Sequence, residues 1–117
     1  MPAMPAAKVF FIEGNAMTET EFLELAEAEM NRLHDEVEAQ YDDADCTLSG
    51  NVLTIELVVG AEVVVNIQAP MQEIWLASHL GGYHFAPRAG DWISSRDGRN
   101  IRTVLFEALD ALIARGH

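Results

Sequence analysis

The sequence predicts an α+β two-layer sandwich, with two helices packed on one face of an antiparallel sheet of about five or six strands. Three observations carry that expectation. Apolar residues recur at helical spacing from Phe22 to Val37. β-Branched runs with a period of two begin at Val52 and recur past Ile67. A second helical stripe, from Ile101 to Leu112, closes the chain. At 117 residues the length fits one domain around one core.

Residues 1–16 stand apart. They carry Pro2, Pro5, small residues and a short apolar patch, Val9-Phe10-Phe11-Ile12. A secretory signal needs a basic start and a longer apolar stretch, whereas here Lys8 is the sole base. The segment reads as an N-terminal extension, or a tag or start-site artefact, with Phe10 and Phe11 available for packing. The domain is expected over 17–117.

Thr18-Glu19-Thr20-Glu21 has the pattern of a capping box. Behind it Phe22, Leu25, Ala26, Met30, Leu33 and Val37 form one helical stripe, opposite Glu24, Glu27, Asn31, Asp35 and Glu38. Tyr41-Asp42-Asp43-Ala44-Asp45 ends the helix in a short acidic loop, and Cys46 opens the first strand. Val52, Leu53, Ile55 and Leu57 predict the next strand, and Val63-Val64-Val65 with Ile67 the one after Gly60. Pro70 breaks the chain before Ile74-Trp75-Leu76-Ala77. Gly81-Gly82 predicts a turn, Tyr83-His84-Phe85 a short strand and Trp92-Ile93 the last one. Asp97-Gly98 turns into a closing helix with Ile101, Val104, Leu105, Ala108, Leu109 and Leu112 on one face. Arg115-Gly116 supplies the stop.

Half the residues are apolar and 22% are charged, a globular composition. The formal net charge is −12, from 19 carboxylates against 7 Lys and Arg. That excludes a nucleic-acid partner, which needs bases to neutralise phosphate, and opposes docking on an anionic membrane. The partners such a surface attracts are metal ions or a basic protein patch. One cysteine, Cys46, forms no internal disulfide and no thiolate-rich zinc site. No apolar run has the length of a bilayer span. The expectation is a soluble acidic domain of a reducing compartment.

The acids are concentrated. Between Met17 and Gly50 there are eleven, against the single base Arg32. Like charges at helical spacing destabilise a helix by about 0.2–0.5 kcal/mol per pair. Glu36, Glu38, Asp42 and Asp43 also oppose the dipole at the helix C-terminus. A solvated face is the simplest account of a charged helix side; retention of charge for use is the alternative. Carboxylate oxygens suit hard or intermediate cations, but no Asp-x-Asp-x-Asp-Gly loop is present. His34, His79, His84 and His117 do not fall at ligand spacings, although His34 adjoins Asp35. Cys46 reads as a small core residue, and neither it nor Ser94-Ser95 has a base partner for nucleophilic catalysis. Trp92 reads as packed, whereas Trp75 is either an exposed interaction residue or core.

At Asn66-Ile67-Gln68-Ala69-Pro70, Glu73-Ile74-Trp75-Leu76-Ala77-Ser78 and Gly81-Gly82-Tyr83-His84-Phe85, the sequence resembles the frataxin family, specifically its bacterial CyaY branch. The resemblance runs from Met17 to about Ala114 and includes the acidic first helix, Cys46, Val52-Leu53-Thr54-Ile55 and Trp92-Ile93. It implies a small cytoplasmic iron-binding protein of iron–sulfur cluster assembly that holds Fe2+ and Fe3+ weakly on a ridge of acids. It implies the same ridge as the dock for the cysteine desulfurase IscS, with the cluster scaffold protein as a further candidate partner. Carried over by position, the ridge is Asp35, Glu38, Asp42, Asp43 and Asp45, flanked by Glu27 and His34. Asp35, Glu38, Asp42, Asp43, Asn66, Gln68 and Trp75 are the implied partner-binding residues. The chain departs from its relatives at Ala39 and Ala44, where acids are usual, and at Leu23, where a histidine sometimes stands. Val58-Val59-Gly60-Ala61-Glu62 replaces a polar hairpin.

Three functions follow as expectations. The first is an iron-binding accessory protein, monomeric without metal and open to iron-driven oligomers. The second is an acidic interaction module that regulates the desulfurase and meets iron only incidentally. The third, a dedicated ferroxidase, needs a site that stabilises Fe3+ and passes electrons to oxygen, and no enzyme signature supports one.

Overall fold

The computed structural model describes residues 17–115. The predicted extension over 1–16, the stop at Gly116 and His117 lie outside the described residues. Helix α1 (Glu19–Gln40) is followed by strands β1 (Asp45–Ser49), β2 (Val52–Glu56), β3 (Glu62–Gln68), β4 (Glu73–Ser78), β5 (Gly81–Arg88) and β6 (Asp91–Ser94), then by helix α2 (Ile101–Arg115). The six strands pair antiparallel in chain order, each with its sequence neighbour. Such a meander needs only short connections. A 3-10 turn, Ala69–Met71, carries Pro70 between β3 and β4.

The capping box forms as predicted. The Glu21 amide donates to Thr18 Oγ1 at 3.1 Å, and the Thr18 amide donates back to Glu21 Oε1 at 3.0 Å. Two amides that the first helical turn leaves without partners are thereby satisfied.

The sheet has one dry face. Leu53, Val65 and Leu76 stand in register across β2, β3 and β4, as do Ile67, Ile74 and Phe85 across β3, β4 and β5. All six are buried, together with Phe22, Ala26, Met30, Leu33 and Val37 of α1 and the predicted stripe of α2. Both helices therefore cover the same face. Phe22 meets Trp92 edge to face, centroids 5.7 Å apart, which fixes the start of α1 over β6. Tyr41 and Phe106 pack at 6.0 Å and tie the end of α1 to α2.

Three local expectations are corrected. Leu25 is exposed, because it lies at the margin of the stripe, and the core-facing position on that side is taken by Glu29. Gly81-Gly82 is not the turn: both residues begin β5, and the chain reverses at His79-Leu80, where Ser78 Oγ accepts the Leu80 amide. The strand around Tyr83-His84-Phe85 is longer than expected and extends through Pro87 to Arg88.

Glu29 is the one acid of α1 that is buried; Arg32 lies 3.0 Å away, one turn on. Burial pushes its carboxyl above the usual range, against the pull of Arg32 and with the help of Asp91 and Glu36. A raised folded-state value means that the native chain binds this proton more tightly than the unfolded chain. Stability from this group is therefore present at low pH and lost as pH rises from the ordinary carboxyl range through Glu29's raised value. We predict that Glu29→Gln removes that decline, so urea midpoints of variant and parent diverge as pH rises from 4 to 7, with the variant the more stable at 7. Parallel curves would contradict it. We also predict that Thr18→Ala costs ~1 kcal/mol, read as a fall of about 4–8 °C in the thermal midpoint; an unchanged midpoint would show the cap to be idle.

Candidate functional site: an acidic ridge beside an exposed sheet face

The second half of α1, the following loop and the start of β1 set one row of carboxylates at the edge of the molecule. On α1, one-turn spacing brings His34, Asp35 and Glu38 together. His34 Nδ1 lies 3.1 Å from Asp35 Oδ1, and its Nε2 lies 3.6 Å from Glu38 Oε2. The ring thus bridges two carboxylates whose own side chains stand in solvent. Asp42 and Asp43 follow in the loop, both exposed. Asp45 begins β1 opposite Glu56 of β2, and Glu56 in turn faces Glu62 of β3. That cross-strand row of three acids was not singled out from the sequence, because only the strand register reveals it.

Glu27 does not join the ridge. It sits two turns of α1 before Asp35, about 12 Å along the axis, beside Met30, Asn31 and Leu48. Among the described residues, no three His, Cys, Asp or Glu side chains converge on one point able to hold an ion. The acids are a field of hard oxygen donors spread along a surface; they do not form a closed cage.

The charge is not cancelled locally. Arg32 pairs with Glu29, Arg102 with Glu36, and Arg99 with both Asp97 and Glu107. Among the described residues no Lys or Arg pairs with Asp35, Glu38, Asp42, Asp43 or Asp45. The last turn of α1 carries no base, so its dipole adds to the negative potential. Behind the ridge, Tyr41 donates its hydroxyl to Asp110 at 2.6 Å. Burial and that bond push its phenol up to about 12. Cys46 faces inward and half-buried against the core; burial, then Glu38 and Asp45, push its thiol up, so it is a poor thiolate donor.

A second surface lies on the sheet face away from the helices. Asn66, Trp75 and His84 are cross-strand neighbours on β3, β4 and β5, and Gln68 pairs with Glu73. Trp75 is outward and half-buried, which settles its place: it is not core. Its indole stacks on His84 with centroids 4.4 Å apart and planes at 9°. The indole N–H donates to Glu73 Oε1 at 2.7 Å, and His84 Nδ1 lies 3.7 Å from the same oxygen. Sequence reading missed Glu73, although its two-residue spacing from Trp75 puts both on one face of β4.

Residues 15–115 match the family model of the frataxin-like domain. The iron–sulfur cluster assembly protein CyaY of Neisseria meningitidis serogroup B is 47% identical over 95 residues, covering 81% of this chain and 89% of its own. The frataxin of Psychromonas ingrahamii superposes with a TM-score of 0.77 at 29% identity, over 81% of this chain and 90% of its own. Trimeric yeast frataxin complexed with ferrous iron superposes at 0.60 with 30% identity, over 90% of this chain and 94% of its own. The dry sheet face under two helices, the acidic first helix and the matched relatives agree: the chain belongs to the frataxin family, in its CyaY branch.

Proposed function

We propose that this chain is an accessory protein of iron–sulfur cluster assembly that binds iron as cargo and is not itself a catalyst. Fe2+ and Fe3+ bind weakly and exchangeably along Asp35, Glu38, Asp42, Asp43 and Asp45, with His34 at the margin and water completing each shell. The same face docks on a basic surface of the cysteine desulfurase IscS in the bacterial cytoplasm and modulates cluster formation. Asn66, Gln68 and Trp75 supply a second contact surface, for the desulfurase or the cluster scaffold. The chain is monomeric without metal, and iron-driven oligomers are the expected response to excess cation.

One observation carries this reading: five ridge carboxylates have no Lys or Arg partner among the described residues, while Arg32, Arg99 and Arg102 are paired elsewhere. Hard oxygen donors in a negative field attract hard cations and basic surfaces alike. The names of the relatives support the pathway, and a ferrous complex of yeast frataxin supports the cargo. The lack of three converging ligands among the described residues favours a second reading, in which docking is primary and iron incidental.

Desulfurase binding separates the two. With iron absent, Asp42→Lys combined with Asp43→Lys is expected to abolish binding in biolayer interferometry. The corresponding Asn pair should weaken it by about tenfold at low salt, and less as ionic strength rises. Binding unaffected by the Lys pair would overturn the docking face. Full binding without iron, together with no measurable Fe2+ affinity, would leave docking alone.

A further inference from the structure

The turn between β2 and β3 is unusually apolar. The Gly60 amide donates to the Leu57 carbonyl at 2.9 Å and the Leu57 amide to the Ala61 carbonyl at 2.8 Å, so Val58 and Val59 occupy the two central turn positions. Gly60 follows at φ +95°, a conformation that favours glycine. Asn, Asp and Ser are the usual side-chain-bearing residues of such turns, and here both central positions are valine. Val58 is nevertheless 75% exposed, so the core does not account for it.

The turn forms one wall of a groove of about 470 Å3. Tyr41 and Ala44 of the acidic loop and Ile113 of α2 also line it. That volume lies within the ~300–1,000 Å3 of binding clefts. Asp42 and Asp43 are among the lining residues and have no cationic partner among the described residues. An apolar trough with two adjacent unpaired carboxylates beside it selects an occupant that is apolar with a basic neighbour.

We propose that this groove binds a protein segment bearing an aliphatic or aromatic side chain next to lysines or arginines, Val58 and Ile113 contacting the apolar part while Asp42 and Asp43 hold the basic part. The proposal rests on the docking reading in taking the partner to be a protein with a basic surface, and adds to it an apolar anchor. Charge alone gives fast, salt-sensitive encounter, while a desolvated anchor slows dissociation.

The test uses two labelled peptides with the full chain: Lys-Lys-Leu-Phe-Leu-Lys-Lys, and a control with three serines at the centre. By fluorescence anisotropy the apolar peptide should bind about tenfold tighter than the control. Val58→Asn, a residue the turn accepts, should lower its affinity to the control level without lowering the thermal midpoint, and Val58→Leu should keep it. Equal binding of the two peptides, or wild-type affinity in Val58→Asn, would overturn the groove. Concentration-dependent dimers in sedimentation that Val58→Asn abolishes would overturn it too, by giving the groove to a second copy of this chain. Desulfurase binding lost in the Asp42→Lys, Asp43→Lys variant yet unchanged in Val58→Asn would leave docking standing and overturn the anchor. A desulfurase that fails to bind the parent protein overturns the docking reading, while the peptide comparison still decides the groove.

Discussion

Everything on the ridge depends on a seam of apolar side chains beneath it. Phe22, Ala26, Met30, Leu33 and Val37 of α1 are all essentially inaccessible to water. Burying side chains of this kind contributes about 1.5–3 kcal/mol for each large one. On the outer side Glu21, Glu24 and Glu27, then Asp35 and Glu38, follow one another at one-turn spacing. Each like-charged pair costs about 0.2–0.5 kcal/mol. The seam wins by several-fold, so the helix persists despite a face that repels itself and an uncompensated C-terminal dipole. The negative field is stable because the other side of the same helix supports it.

The arginines decide where that field remains open. Three arginines beside the helices are held by partners: Arg32 beside buried Glu29, Arg102 on Glu36, Arg99 between Asp97 and Glu107. Arg96 lies over the Tyr83 ring at 4.2 Å. The β6–α2 corner is close to neutral, while the α1–β1 corner is not, which gives the molecule an electrostatic polarity. The period of the strands adds a separate surface: the pleat that sends Leu76 and Phe85 into the core sends Trp75 and His84 out to stack on each other.

Much of this was legible in the residues. The capping box, most of both helical stripes and about five or six strands follow from periodicity and local chemistry, and the acid density between Met17 and Gly50 is visible by inspection. What escaped depends on long-range geometry. Leu25 and Glu29 exchange roles because burial at the edge of a helical stripe depends on the neighbouring elements and on the nearby charge of Arg32. The turn at His79-Leu80 carries no glycine or proline, whereas the glycines that follow it in β5 carry the usual turn signal. Sequence reading places His34 beside Asp35, but the approach to Glu38, the Asp45–Glu56–Glu62 row and the Trp75–His84–Glu73 cluster need side-chain rotation or strand register. Glu27 shows the converse: it shares a helix face with the ridge in sequence and lies apart from it in space.

The central claim is that one surface serves both cation and partner. The most direct measurement is an anaerobic 1H–15N titration with Fe2+, repeated with the desulfurase in place of iron. The account predicts selective broadening from Asp35 to Asp45 in the first, and perturbation of that stretch joined by Trp75 in the second. Iron signals dispersed over the molecule, or desulfurase perturbations that avoid Asp35 to Asp45, would contradict it.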